Sequence, residues 1–290
     1  MLIQTLLLML FLLASASLSQ AATYFDSDFE GCAASPGNDW PCDNWDDVGT
    51  EAICTANRLQ VMNTGGAYSG SKYVRLTYDN AFSSTCKPSI YKTITATSHV
   101  FFRAAMRQSV GFQTSSQNNA SKRVRFRPAN TGDPNPSDGL GAYPIFWLYN
   151  HYGSYSINIE QPCDNLAGQY WINANPPTPG GWDEVEFEVF MNTPGQSNGG
   201  LRIWVNGVLR AQSLNRKWVA DTPTGVCGSS NIWHPSNWFT TEVQIYLQSG
   251  VGTVDYDRVA VGNTRIGAVG GTPPPLDTTP PTPPTNVTVQ

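Results

Sequence analysis

Hydrophobic and polar positions alternate along most of the central part of the chain, which is the pattern of β-strands that bury one face. The alternating segments are rich in β-branched and aromatic residues, and clusters of Gly, Asn, Pro and Ser separate them. The predicted strands are Tyr73–Tyr78, His99–Gln108, 123–127, 142–149, 155–160, 183–191, 201–205, 242–247 and 254–261. Many strands at short spacing predict an all-β protein, a two-sheet antiparallel sandwich of the jelly-roll type.

The two ends of the chain differ from this pattern. An apolar run of about 12 residues, then small residues up to Ala21, predicts a signal peptide over residues 1–21, because a membrane span needs about 20 residues. We therefore expect a secreted protein that has no membrane contact after cleavage. Residues 22–268 contain no Pro-rich break and predict one domain, and residues 269–285 form a Pro/Thr-rich linker. Residues 286–290 resemble the start of a fibronectin type III module.

Six cysteines lie in the predicted mature chain, at positions 32, 42, 54, 86, 163 and 227. An even number in an exported protein predicts up to three disulfides, and the sequence leaves their pairing open.

Charged residues are few and unevenly placed. The chain of 290 residues has 17 basic and 22 acidic side chains and a net charge of −5, which argues against a nucleic acid partner. Between residues 80 and 132 there is no Asp or Glu, although eight Lys and Arg residues lie there. This local excess of positive charge predicts an anionic polysaccharide as the partner. We expect the protein to be a monomer.

Strand periodicity sorts these basic residues onto faces. Arg103 and Arg107 share one face of the strand His99–Gln108, and Arg123, Arg125 and Arg127 are expected to share a face of the next strand. Guanidinium groups in such rows can grip uronate carboxylates. The alternative is a solvated outer face whose ion-pair partners lie on other strands.

Three other strands combine an apolar face with a polar or aromatic one. A concave sheet that lines a sugar needs such a face. The polar or aromatic positions on the three strands are Trp147, Tyr149 and His151; Ser156, Asn158 and Glu160; and Gln244, Tyr246 and Gln248.

Segments 181–186, 192–199 and 204–209 contain a Trp-led strand, an NTPG turn and a WVNG hairpin. This block resembles concanavalin A-like jelly-roll domains of secreted polysaccharide-lyase-like proteins. The segments 25–30 and 254–267 resemble the first and last strands of those domains, and Tyr246-Leu247-Gln248 resembles the Tyr-x-Gln element of jelly-roll alginate lyases.

The resemblance implies β-elimination on a uronate-containing polysaccharide. Arg103, His151, Tyr246 and Gln248 are then the expected catalytic residues, with Arg103 neutralising the carboxylate and His151 and Tyr246 moving protons. The expected substrate-binding residues are Arg107, Arg125, Trp147, Tyr149, Asn158, Glu160 and Gln244. The resemblance also implies one structural Ca²⁺ at Glu30 and Asp257, and no organic cofactor.

Two other functions fit the same sequence. A noncatalytic polysaccharide-binding module could stack sugars on exposed Trp side chains, for which Trp171, Trp233 and Trp238 are candidates. A glycoside hydrolase could use Glu184, Glu186 and Glu188, whose spacing resembles the E-x-D-x-E strand of jelly-roll β-glucanases and which periodicity places on one face.

Overall fold

The chain forms two stacked antiparallel β-sheets. The computed structural model describes residues 23–34, 42–48, 58–78, 89–114, 120–127, 145–160, 172–193, 196–217, 240–248 and 250–269. No helix occurs within these ranges, and hence none that is long and apolar enough to cross a membrane. The prediction of an all-β, two-sheet sandwich is confirmed.

The eight-stranded sheet, called sheet A, carries most of the block that resembles polysaccharide-lyase-like domains. In spatial order its strands are β13 (Val208–Arg216), β12 (Gly199–Val205), β11 (Trp182–Phe190), β6 (His99–Gln108), β15 (Gly252–Gly262), β4 (Tyr73–Tyr78) and β3 (Leu59–Met62). Strand β1 (Thr23–Ser27) pairs with the second half of β15.

The seven-stranded sheet, called sheet B, faces sheet A. In spatial order its strands are β10 (Ile172–Asn173), β9 (Ser154–Glu160), β8 (Ile145–His151), β7 (Ala120–Arg127), β14 (Thr240–Gln248), β5 (Ser89–Thr97) and β2 (Asp47–Val48). The predicted strand 142–149 begins later and extends further than expected.

Alternate side chains of both sheets meet in one hydrophobic core. Phe102 of β6 packs against Phe126 of β7 and Phe187 of β11, with ring centroids 6.2 and 5.6 Å away. Val124, Leu148, Ile157 and Ile245 come from four neighbouring strands of sheet B and are fully buried in the same core. The faces of the two sheets that point away from this core are called their outer faces.

The WVNG segment forms a tight hairpin between β12 and β13. Asn206 and Gly207 have φ values of 52° and 77°, the positive values that a type I′ turn requires at both central positions. The Asn206 side-chain oxygen also accepts a hydrogen bond from the Glu184 backbone N–H at 2.9 Å. The turn therefore fixes the pairing of three neighbouring strands, as expected of an architectural motif.

One of the expected disulfides is present, between Cys32 and Cys42. The other four cysteines lie outside the described residues. The predicted signal peptide, nearly all of the linker and the fibronectin-like segment lie outside them too.

Candidate active site

The structure divides the expected site residues between the two sheets. Arg103 and Arg107 lie on β6 of sheet A, and their side chains point away from sheet B because Phe102, Ala104 and Met106 take the core-facing positions. His151, Tyr246 and the other expected binding residues lie on sheet B. The expectation that Arg103 and Arg107 share one site with His151 and Tyr246 is therefore wrong, since the two sheets lie between them.

Both arginines have structural contacts on sheet A. Arg107 forms an ion pair with the buried Asp255 at 2.7 Å and lies over the rings of Tyr73 and Trp182, 4.9 and 4.4 Å from their centroids. Arg103 donates to the backbone carbonyl oxygens of Gly267 and Arg258. Burial lowers the pKa of Arg103, although Asp26 and Glu184 oppose that shift.

The three glutamates of β11 share the outer face of sheet A, as their spacing predicted, but each has partners there. Glu184 accepts hydrogen bonds from the Tyr68 hydroxyl and the Val269 N–H, and Glu186 accepts from the backbone N–H groups of Ile266 and Gly267. Glu188 contacts Arg202 and His99, each at 2.7 Å. These carboxylates anchor neighbouring segments, so nothing here favours a pair open to a glycosidic bond.

The outer face of sheet B carries a row of polar and aromatic positions across four strands. Gln244 of β14 pairs in register with Arg125 of β7, Arg125 pairs with Trp147 of β8, and Trp147 pairs with Asn158 of β9. With about 4.8 Å between adjacent strands, this row spans about 14 Å across the sheet. Sequence periodicity predicted the face of each member, and the strand pairing brings them into one row.

Two amides of this row are buried without hydrogen-bond partners. Asn158 is 1% exposed, and neither its side-chain oxygen nor its nitrogen has a partner; Gln244 is 3% exposed, and its side-chain oxygen has none. An unpaired buried polar group costs about 1–3 kcal/mol. These unpaired atoms are open to a hydrogen bond from an ordered water or a polar ligand.

A cation and a phenol lie beside this row. The Arg125 guanidinium is 5.4 Å from the centroid of the Tyr246 ring, and Tyr246 is buried without joining the hydrophobic core. Further along β7, the Lys122 ammonium is 6.0 Å from the ring of Tyr149, with which Lys122 pairs in register. Lys122 was missed as a site residue because regular alternation places it on the core face.

A third polar group lies at the end of β8. The side chains of His151 and Asn173 are hydrogen-bonded, and the Asn173 oxygen also accepts from the Ser156 hydroxyl at 2.5 Å. Burial lowers the pKa of His151, an effect larger than the opposing one of its bond to Asn173. His151 is therefore neutral at pH 7, the state in which an imidazole can accept a proton.

Three expected site residues are described only by their backbone. Trp147 and Glu160 occupy positions on β8 and β9, and Gln248 pairs in register with Lys122 at the end of β14. Their side chains lie outside the described residues, as do the candidate stacking residues Trp171, Trp233 and Trp238.

The proposed calcium ligands, Glu30 after β1 and Asp257 on β15, both contact the loop before β4. Glu30 accepts hydrogen bonds from the backbone N–H groups of Ser71 and Lys72, and Asp257 accepts from that of Ser69. The Lys72 ammonium contacts the carbonyl oxygens of Glu30 and Cys32 at 2.8 and 2.6 Å. The described residues include no cluster of three or more His, Cys, Asp or Glu side chains that could hold a metal ion. These contacts suit an ammonium group and do not fit a Ca²⁺ site.

Comparison with solved structures identifies the architecture. The endo-β-1,4-glucuronan lyase of the fungus Trichoderma reesei is 17% identical, covers 84% of this chain and 96% of its own, and superposes with a TM-score of 0.52. The PL-14 alginate lyase of Aplysia kurodai is 9% identical, with 83% and 99% coverage and a TM-score of 0.56. The alginate lyase Aly36B is 14% identical, with 82% and 95% coverage and a TM-score of 0.52.

The chain shares the β-sandwich fold of these polysaccharide lyases. No family model matches it, and no curated protein sequence does. At these identities the likeness shows the fold alone, so a function has to rest on the side chains of the outer face of sheet B.

Proposed function

We propose that the chain is an exported polysaccharide lyase that cleaves a uronate-containing polysaccharide by β-elimination on the outer face of sheet B. The observation that carries this proposal is the row containing Gln244, Arg125 and Asn158. It combines a guanidinium with two buried amides, of which Asn158 has both polar atoms unpaired and Gln244 its oxygen. A sugar chain laid across the strands would meet all three groups.

The first chemical requirement is to neutralise the uronate carboxylate, so that the proton on C5 becomes acidic. Arg125 meets it on sheet B, where the sequence had suggested Arg103. A guanidinium fork forms bidentate hydrogen bonds to a carboxylate, and the side-chain amide of Gln244 on the adjacent strand can donate another.

The second requirement is proton transfer. A base removes the C5 proton, the electron pair of that C–H bond forms the C4–C5 double bond, and the bond from C4 to the glycosidic oxygen breaks. An acid then protonates the departing oxygen. His151, which is neutral at pH 7, is the proposed base, and Tyr149 and Tyr246 on the same face are the candidate acids.

The test is to incubate the purified chain with alginate, glucuronan, pectin and heparin and to follow the ultraviolet absorbance of the unsaturated uronate product. We expect product from at least one polymer, and Arg125→Ala should lower kcat/KM by about 100-fold or more, as expected when a group that stabilises transition-state charge is lost.

The matched control is Arg210→Ala, which removes a guanidinium from an exposed position on β13 of sheet A. It should keep wild-type activity. Polymer binding without product from any substrate would exclude the lyase and favour a binding module. Release of reducing ends without the ultraviolet signal would instead indicate hydrolysis.

A further inference from the structure

Strand β7 contains a β-bulge beside the proposed site. Lys122 pairs with Tyr149 and Val124 with Leu148, so β7 advances two residues while β8 advances one. Arg123 is the extra residue. Lys122 and Arg125 consequently both face outward although they are three positions apart, whereas Arg123 turns inward. The expectation that Arg123 shares a face with Arg125 is wrong for this reason.

The Arg123 side chain is anchored between the two sheets. Its Nη1 donates to the Ser121 hydroxyl at 2.7 Å, its Nη2 donates to the Gln108 side-chain oxygen at 3.0 Å, and its guanidinium lies 4.4 Å from the Phe112 ring centroid. Gln108 belongs to sheet A, and its oxygen also accepts from the Asn150 amide of β8. Complete burial lowers the pKa of Arg123 to about 10, which leaves it charged at neutral pH.

The backbone of the bulge has its own partner on sheet A. The Tyr256 hydroxyl of β15 donates a hydrogen bond to the carbonyl oxygen of Arg123 at 3.0 Å. A bulge takes backbone groups out of the ladder, and a buried carbonyl without a donor is costly. Burial raises the pKa of Tyr256, so its hydroxyl remains protonated and able to donate.

We propose that Tyr256 and Arg123 are positioning residues that hold this bulge from inside the sandwich and thereby keep Lys122 on the substrate face, beside Tyr149. The catalytic part of this inference rests on the proposed lyase function. In a regular strand the alternation fixed by Phe126 and Val124 would turn Lys122 toward the core. The interior contacts thus decide which cation the site presents next to Arg125.

The kinetic test compares Tyr256→Phe with Tyr155→Phe. Both remove one hydroxyl from a buried ring in the same core, but Tyr155 donates to Asp183 and not to the bulge. We expect Tyr256→Phe to lower kcat/KM by about fivefold or more and Tyr155→Phe by less than about twofold. In a Lys122→Ala background Tyr256→Phe should have no further effect on kcat/KM, because Tyr256 acts on the reaction through the position of Lys122. An equal loss in both backgrounds would overturn the inference.

A second readout needs no activity and so separates this inference from the proposed function. Lys122 is partly exposed, and its acetylation can be followed by mass spectrometry with the partly exposed Lys217 of the same chain as reference. Tyr256→Phe and Arg123→Met should each slow labelling of Lys122 severalfold relative to Lys217. Unchanged labelling in both variants would refute the role of the bulge, even if the wild-type chain cleaves a polysaccharide.

Discussion

The unpaired buried amides on sheet B lower the stability of the folded protein. Asn158 keeps two polar atoms unpaired at 1% exposure, a state that the folded protein would avoid if stability alone determined the side chain. Sites built for binding commonly carry such a cost and recover it when the ligand is bound.

Replacing Asn158 with Leu should therefore separate stability from binding. We expect Asn158→Leu to raise the free energy of unfolding by about 1–2 kcal/mol, because an apolar side chain of similar size needs no hydrogen bond. The same change should weaken polysaccharide binding. Thermal denaturation and affinity electrophoresis on the same preparations would check both effects. A less stable variant that binds normally would show that Asn158 is satisfied in solution and does not serve the ligand.

His151 sets the expected pH dependence. Its pKa lies below the usual value of 6.5. The titratable groups that the structure describes on the same outer face include Lys122, Arg125, Tyr149, Glu242 and Tyr246, and the ring centroid of the neighbouring Tyr152 is 4.4 Å away. As a base, His151 must be neutral, so kcat/KM should rise with pH through a pKa below 6.5 and level off before neutrality. Because the folded-state pKa is lowered, stability present above pH 6.5 should be lost as the pH falls through that lowered pKa.

The variant His151→Gln should lose the acidic limb of the profile together with about 100-fold or more of the rate. His99→Gln is the matched control, since His99 lies on sheet A beside Glu188. A wild-type limb that persists in His151→Gln would assign the base to another group.

At the scale of elements, β6 shows why a basic face need not bind a ligand. The buried carboxylate of Asp255 on β15 accepts hydrogen bonds from the guanidinium groups of Arg75 on β4 and Arg107 on β6. The nitrogen–oxygen distances are 2.7 and 2.9 Å for each arginine, so one carboxylate links three strands. No acidic residue lies near Arg107 in the sequence, and its ion-pair partner, Asp255, comes almost 150 positions later. This pairing was the alternative that the sequence left open for Arg107.

Removing that carboxylate should destabilise sheet A without touching the site. We expect Asp255→Asn to lower the free energy of unfolding by roughly 2–3 kcal/mol, less than for a fully buried pair because both arginines are partly exposed. Asp46→Asn is the control: its pair with Lys92 is more exposed and should be worth at most about 1 kcal/mol. Urea denaturation would measure both, and activity per folded molecule should be unchanged. Equal destabilisation of the two variants would contradict this ranking.

At the scale of the whole molecule, the end of β1 is joined to the loop before β4 by the contacts of Lys72 and Glu30. The N–H donors of Ser71 and Lys72 lower the pKa of Glu30 and stabilise its charge, while the Lys72 ammonium bridges two carbonyl oxygens near the Cys32–Cys42 disulfide. The Lys72 ammonium is thus the cation that the described residues place beside Glu30.

Chelation should consequently leave the thermal midpoint unchanged, and Lys72→Met should lower it by a few degrees. Differential scanning calorimetry with EDTA and then with excess Ca²⁺ would measure both effects. A fall in the wild-type midpoint with EDTA that Ca²⁺ reverses would establish a metal site and restore the original expectation for Glu30 and Asp257.

The sandwich fold and the face on which most site residues lie follow from the alternation of residues along each strand. Alternation is local, so the outward positions of Tyr149, Asn158, Gln244 and Tyr246 follow from their strands alone. Turn chemistry is local too, and Asn206-Gly207 forms the hairpin that it predicts.

Which strands share a sheet depends on contacts between distant parts of the chain. The strands that carry Arg107 and Arg125 are neighbours in sequence, yet they belong to opposite sheets, because the chain crosses over between them. Tertiary contacts also hold the bulge that turns Arg123 inward and Lys122 outward, since Gln108 of β6 accepts a hydrogen bond from the Arg123 guanidinium and Tyr256 of β15 donates one to the Arg123 carbonyl oxygen. The net charge and the basic segment are properties of the sequence, but the partner of each charge depends on long-range strand pairing, which alternation along a single strand does not encode.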